Sequence, residues 1–130
     1  MTTLRLGSGA PWEAVVGYSR VVATADAAWV SGTTATVDGV VVHPGDAAAQ
    51  TRVALTTVAQ ALADAGFTLA DVVRTRVYVT DISRWEEVGR VHGEVFGAAR
   101  PASAMVGVAA LIDPAMLVEV EADAVVGVGA

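Results

Sequence analysis

Three carboxylates occupy every second position near the C-terminal end of the sequence: Glu119, Glu121 and Asp123, in the segment VEVEADA. Because successive side chains of a β-strand point to opposite faces, this spacing puts the acids on one face and small apolar residues on the other. If that face were sealed from water without positive partners, the three carboxylates would repel one another. The pattern leaves two interpretations: a solvated surface, or a cleft in which one acid does chemistry.

A second alternating segment, VVRTRVYVT over residues 72–80, supplies the opposite charge. We expect one face of this strand to carry Val73, Thr75, Val77 and Val79. The other face would carry Arg74, Arg76 and Tyr78. If the two strands are neighbours, the arginines can pair loosely with the acids in water, each exposed pair contributing roughly 0 to 1 kcal/mol. Alternatively, another subunit packs on this face and holds at least one carboxylate in a partly dry cleft.

The elements that position these residues follow from periodicity and turn signals. Asp46 has the position of a helix N-cap, apolar residues follow at helical spacing from Leu55 to Leu62, and Gly66 stands where a helix ends. Asp38-Gly39 is a two-residue hairpin signal, with a short return strand ending at His43-Pro44. We predict strands over 3–6, 18–25, 28–37, 72–80, 104–111 and 117–126, and helices over 46–65 and 83–96.

This order of elements predicts an α+β domain whose two helices share one face of the sheet. On the second helix, Trp85, Val88 and either Val91 or His92 are expected to face inward. The other sheet face must then be solvated or covered by another chain.

Composition bounds the class of protein. A chain of 130 residues fits one domain, here 1–130. With 54% hydrophobic residues and a mean hydropathy of +0.55, the chain is more hydrophobic than an ordinary soluble domain. Its charge-free stretches are nevertheless too short to cross a membrane. A subunit interface is the usual place for such excess apolar surface, so we expect an oligomer and no membrane association.

Charge and cysteine content exclude further classes. Acidic residues number 14 against 8 basic ones, all arginine, and the net charge of −6 disfavours nucleic acid as a partner. The chain has no cysteine, which excludes disulfides and thiolate metal sites. The N-terminal segment lacks the pattern of a signal peptide, so we expect a cytoplasmic location.

Several segments resemble the RidA/YjgF family of reactive-intermediate deaminases, also called L-PSP endoribonucleases. These segments are RTRVYVTDISRWEEVGRVHGEVFG, RPASAMVGVAALIDPAMLVEVEADAVV, AAWVSG and PGDAAAQTRVALTTVAQALADAG, and together they cover nearly the whole chain. The resemblance implies a chorismate-mutase-like α+β fold with a mixed sheet. It also implies a homotrimer whose bare sheet faces turn inward, with small-molecule ligands bound in clefts between subunits.

The resemblance implies hydrolysis of 2-imino or enamino acids to 2-oxo acids and ammonia. That chemistry needs a cation for the substrate carboxylate, hydrogen bonds that orient the imine, and a carboxylate that positions water. The family's cation is an arginine after Pro-Ala, but the stretch here is RPASAM and the position holds Ser103. A serine hydroxyl carries no charge, so the bidentate grip on a carboxylate is lost.

Other family positions are retained. The resemblance assigns Glu121 to positioning the water, Tyr18 to the site, and Gly32 to a backbone that lies against the ligand. Tyr18 could instead serve packing, and Gly32 could instead permit a tight bend.

Arg76 is a candidate replacement for the missing cation, with a structural salt bridge as the alternative. His92 stands at an aromatic position of the family, where a packed or pocket-lining role is favoured over that of a base. One histidine without a second nearby argues against a metal site, and His43 is assigned no role.

The resulting functional hypothesis is hydrolytic deamination of a small imine or enamine, with a substrate that lacks the usual α-carboxylate as one option. The alternative is a non-catalytic trimer that binds a small metabolite or a protein partner. An endoribonuclease ranks third because of the acidic charge. No cofactor is expected.

Overall fold

A computed structural model of the chain describes residues 2–127, which form one mixed sheet, a small ribbon and two helices. The strands are β1 (Leu4–Leu6), β2 (Val21–Ala23), β3 (Ala27–Thr33), β4 (Thr36–Val37), β5 (Val40–Val41), β6 (Val72–Val79), β7 (Ala102–Gly107) and β8 (Val118–Val125). The helices are α1 (Ala47–Asp64) and α2 (Trp85–Phe96). The α+β class and the predicted number of helices are confirmed.

The six strands of the main sheet lie in the order β1-β2-β3-β8-β6-β7. Strand β8 pairs antiparallel with both β3 and β6, while β7 pairs parallel with β6. A parallel pair needs a long crossover connection, and α2 supplies it. In this order, β8 with the acids and β6 with the arginines are neighbours near the centre of the sheet.

Helix α1 begins and ends at the predicted signals. The Asp46 side chain accepts a hydrogen bond from the Ala49 backbone N–H at 3.0 Å, which satisfies one free donor of the first turn. Its apolar stripe, including Leu55, Val58 and Leu62, is fully buried against the sheet. Gly66 follows the helix with φ +88°, a conformation that side chains with a Cβ rarely adopt.

The hairpin at Asp38-Gly39 is also confirmed. Both residues have positive φ, 50° and 78°, and Val37 pairs with Val40 across the turn. The strand leading into it is shorter than predicted, since β3 ends at Thr33. A bulge between Val30 and Thr33 turns the chain out of the main sheet, so β4 and β5 form a separate two-stranded ribbon.

Two further predicted strands are wrong in extent. The segment 18–25 contributes only Val21–Ala23, because residues Glu13–Gly17 form a turn of π-helix and Gly17 leaves it at φ +85°. The segment 104–111 is shifted to Ala102–Gly107. Its partner β6 ends at Val79, and a last hydrogen bond from Val108 N–H to Val79 C=O closes the ladder.

Two side chains face differently from the prediction. Val73 is exposed, because a bulge between Val72 and Arg74 shifts the alternation and buries Val72 instead. Trp85 is the first residue of α2, following a 3₁₀ turn over Ile82–Arg84, and it too is exposed. Val88 and Val91, about one and two turns further along, face the core as predicted.

The two faces of the sheet have different surroundings. Side chains on the face covered by α1 and α2 form the buried core, as Val77, Val118 and Val120 illustrate. The uncovered face includes exposed apolar side chains, among them Trp29 at 47% and Val106 at 44% exposure. An uncovered sheet face with large apolar groups is a feature of subunit interfaces.

Gln50 is a fully buried polar side chain that fastens two loops to α1. Its Nε2 donates to the carbonyls of His43 and Ala115, and its Oε1 accepts from the Leu117 backbone N–H. The leucine of a Gln50→Leu variant would fill a similar volume but leave these three backbone groups without their partner.

We expect Gln50→Leu to lower the free energy of unfolding by roughly 3 kcal/mol, measured by urea denaturation. Gln60→Leu is the control, since Gln60 lies exposed on the same helix and bonds only the exposed Asp64. Equal effects of the two substitutions would contradict the role assigned to Gln50.

Neither helix within residues 2–127 combines the length and the apolar character that crossing a membrane requires.

Candidate active site

A cavity of about 1020 Å³ opens beside the outward-facing acids of β8. The loop before β2, the end of β3 and the β4–β5 ribbon border it. Three predicted site residues, Tyr18, Gly32 and Glu121, all line this cavity. They come from sequence positions far apart, and the fold brings them together.

Glu121 is held by a neighbouring tyrosine. The Tyr78 hydroxyl on β6 donates a hydrogen bond to Glu121 Oε1. This hydrogen bond raises the pKa of Tyr78, burial raises it further, and the tyrosine stays protonated as a donor near neutral pH. The second oxygen of the Glu121 carboxylate is left for a ligand or a water molecule in the cavity.

Glu119 lies against Gly32 on the neighbouring strand. A Cβ added at Gly32 would be 2.9 Å from Glu119 Cδ, so any larger residue at this position would displace the Glu119 carboxylate. Burial raises the pKa of Glu119, the nearby Glu121 charge raises it further, and Arg20 opposes both effects.

Arg20 is a site residue that sequence reasoning missed. Its Nη1 donates to Gly32 C=O at 2.7 Å, Thr33 Oγ1 at 2.9 Å and Ser31 C=O at 3.3 Å. The side chain is only 11% exposed, and its Nη2 lies 3.9 Å from a Glu13 carboxylate oxygen. An arginine directly before the apolar residues 21–23 was the available signal.

Arg20 therefore serves mainly to hold the backbone at the bulge of β3. Tyr18 packs on it, with the guanidinium carbon 5.7 Å from the centre of the ring. Tyr18 thus both packs on Arg20 and lines the cavity. It lies in extended backbone after the π-helical turn rather than within a strand.

Ser103 and His92 lie outside the cavity and form a second cluster with Thr75. Ser103 is opposite Thr75 in the parallel β6–β7 ladder, and the Oγ1 atom of Thr75 lies 2.7 Å from the Oγ atom of Ser103. His92 Nε2 on α2 lies 2.8 Å from Thr75 Oγ1. Since Arg76 and Glu121 are paired on the other face, Ser103 and Glu121 of one chain lie on opposite faces of the sheet.

Arg76 lies on the outward face but does not line the cavity. Its Nη1 is 3.3 Å from Asp123 Oδ2, which makes the structural ion pair considered as the alternative to a ligand-binding role. The pairing partner is Asp123 rather than the directly opposed Glu121. Of the three acids on β8, Glu119 and Glu121 line the cavity and Asp123 pairs with an arginine.

Metal-binding geometry is absent from the part of the chain that the structure describes: residues 2–127 contain no group of three or more histidine, aspartate or glutamate side chains placed to hold an ion. What the cavity offers is a fixed carboxylate, a tyrosine hydroxyl and backbone groups around a glycine. A carboxylate so placed can accept a proton from water beside a bound electrophile.

Comparison with known proteins gives concordant results. The family model described as Endoribonuclease L-PSP matches residues 8–126. A Streptomyces coelicolor protein, SCO2049, is 39% identical over 120 residues, covering 92% of this chain and 90% of that protein. The 3-aminoacrylate deaminase RutC of Acinetobacter baylyi is 40% identical over 80 residues, covering 62% of this chain and 63% of RutC.

Solved structures agree with the sequence matches. Rv2704 from Mycobacterium tuberculosis, a member of the YjgF/YER057c/UK114 family, is 54% identical with a TM-score of 0.87, covering 96% of this chain and 100% of that one. The Thermotoga maritima protein TM0215 is 30% identical with a TM-score of 0.80, over 95% and 92% of the two chains. The chain therefore belongs to the L-PSP, or RidA/YjgF, family.

Proposed function

We propose that the protein hydrolyses small imines or enamines to carbonyl compounds and ammonia, at sites formed between the subunits of a homotrimer. The observation that carries the proposal is the Glu121 carboxylate, held by Tyr78 in a cavity of about 1020 Å³ that Gly32 also lines. The similarity to a 3-aminoacrylate deaminase supports the same class of reaction. A cytoplasmic location is part of this proposal.

In the proposed reaction, Glu121 removes a proton from water as the water oxygen bonds to the imine carbon. The carboxylic acid then gives this proton to the nitrogen, which yields a carbinolamine. A second transfer through Glu121, from the carbinolamine hydroxyl to the nitrogen, breaks the C–N bond. Ammonia leaves and the carbonyl forms, so that Glu121 ends as it began.

The placement of Ser103 supports a site shared between chains. Within one chain, Ser103 and Glu121 lie on opposite faces of the sheet and cannot contact one small ligand. If the outward faces of three copies pack together, the edge strand β7 of one copy can border the cavity of the next. The exposed Trp29 and Val106 on that face supply apolar contact area for such packing.

The absence of a cationic clamp favours a substrate without a carboxylate. Ser103 carries no charge, and Nη1 of Arg20 already donates to three oxygens of β3. The cavity acids Glu119 and Glu121 would also repel a carboxylate. A neutral imine avoids both difficulties.

We expect the purified protein to accelerate loss of a neutral imine, such as the amide of 2-iminobutanoate, more than loss of 2-iminobutanoate itself. Both compounds are generated in situ, and ammonia release is compared with buffer. Ser103→Arg should raise hydrolysis of 2-iminobutanoate by about 10- to 100-fold, because it restores a charged bidentate hydrogen bond. If neither the wild type nor Ser103→Arg accelerates either reaction, the deaminase proposal fails.

A trimer that binds a metabolite without transforming it is the second candidate. The observation that favours it is the serine in place of the family's arginine. Saturable binding of both imines without any ammonia release above buffer would support this alternative.

A further inference from the structure

Thr75 links His92 to Ser103 through two short hydrogen bonds. Thr75 Oγ1 lies 2.7 Å from Ser103 Oγ and 2.8 Å from His92 Nε2. The threonine is fully buried, whereas Ser103 is exposed on the edge strand β7. The three polar groups therefore form a chain that runs from a half-buried imidazole to a hydroxyl at the surface.

The direction of the two hydrogen bonds follows from the single hydrogen that the Thr75 hydroxyl can donate. Thr75 has one hydroxyl hydrogen, and the geometry has Thr75 donating it to Ser103 Oγ. Thr75 can then only accept from His92, so the imidazole carries its hydrogen on Nε2. Burial lowers the pKa of His92, which keeps the ring neutral near pH 7 and leaves the lone pair on Nδ1.

We infer that His92, Thr75 and Ser103 form a hydrogen-bond donor chain, and that its free end, the Ser103 hydroxyl hydrogen, binds a neutral carbonyl oxygen of the ligand. Ser103 accepts from Thr75, so its own hydrogen remains available to a ligand. Successive donors polarise one another, which makes the terminal hydroxyl a stronger donor than an isolated serine.

The chemistry of the ligand group follows from the charge of this donor. An uncharged hydroxyl pairs well with a ketone or amide oxygen, whereas a carboxylate removed from water requires a cation to compensate for its lost hydration. This inference rests on the proposed site between subunits. It specifies a neutral carbonyl as the ligand group that takes the place of the carboxylate. A chain running in the opposite direction would present a lone pair of Ser103 and select a ligand that donates.

The direction of the chain can be measured by ¹⁵N NMR of the histidine side chains at pH 7.5. In the wild type we expect His92 to be the Nε2–H tautomer. Thr75→Val, which is nearly isosteric, should release the ring into a mixture of tautomers, and Thr75→Ser should restore the single tautomer. An Nδ1–H tautomer in the wild type would overturn the inference, as would an unchanged tautomer in Thr75→Val.

The ligand class is tested by titrating pyruvamide and pyruvate while following the backbone amide signal of residue 103. Pyruvamide should bind more tightly than pyruvate, and Ser103→Ala should weaken pyruvamide binding about three- to tenfold. Tighter binding of pyruvate, equal pyruvamide affinity in Ser103→Ala, or no shift with either compound would contradict it. Because neither experiment uses turnover, a protein that passes both and hydrolyses no imine would refute only the deaminase proposal.

Discussion

Glu121→Gln is expected to lower imine hydrolysis by about 10²- to 10⁴-fold, the usual effect of losing a positioned general base. Glutamine has nearly the same shape and can still accept the Tyr78 hydroxyl hydrogen bond. It cannot take a proton from water, so binding should be retained while turnover is lost. The measurement is steady-state ammonia release, with kcat expected to fall far more than KM changes.

Asp123→Asn is the matched control for this experiment. Asp123 lies two residues further along the same strand face, pairs with Arg76 and does not line the cavity. Its substitution should change hydrolysis by less than about threefold, because it removes one partly exposed ion pair and leaves the cavity lining unchanged. A similar loss in both variants, or full activity in Glu121→Gln, would show that Glu121 is not the base.

Val106→Asp is expected to abolish both assembly and hydrolysis. Val106 lies on the outward face of β7, opposite Tyr78, and is 44% exposed in one chain. Packing of outward faces would remove the new aspartate from water without a partner, at a cost of several kcal/mol per copy. We expect a folded monomer by circular dichroism and light scattering, with hydrolysis reduced at least about 100-fold because the shared site is not formed.

Val15→Asp controls for the introduced charge. Val15 is 87% exposed in the π-helical turn and does not line the cavity. This variant should keep the mass and activity of the wild type. If Val106→Asp assembled normally, or were active as a monomer, the proposed interface would be wrong.

Features with a local cause were predictable from the sequence. The N-cap Asp46, the terminal Gly66 and the Asp38-Gly39 turn each act through their own backbone conformation, so their positions were correct. The alternation of β8 also held, because its whole inner face is buried. The family resemblance supplied the mixed sheet, which local patterns do not contain.

Features that depend on distant partners were not predictable. Arg20 belongs to the cavity because β3 bulges next to it, and the bulge has no distinct signature in the sequence. Val73 was assigned to the wrong face for the same reason, since one extra residue in β6 reverses the alternation. Gln50 connects residues that are 65 and 67 positions away in the chain.

The candidate site shows the same division. The position of Glu121 could be predicted from the motif around it. The link from His92 to Ser103 could not be predicted, because it runs through a buried threonine on a third element. Thr75 was expected only to face inward on its strand. Its role depends on the parallel register of β6 and β7, which sets Thr75 opposite Ser103.

The most direct test of a site shared between chains is the mass of the wild-type protein at micromolar concentration, measured by sedimentation equilibrium. We predict three times the 13.2 kDa mass of the chain. A single species of 13.2 kDa would contradict the proposal, because Ser103 and Glu121 would then have no way to meet at one ligand.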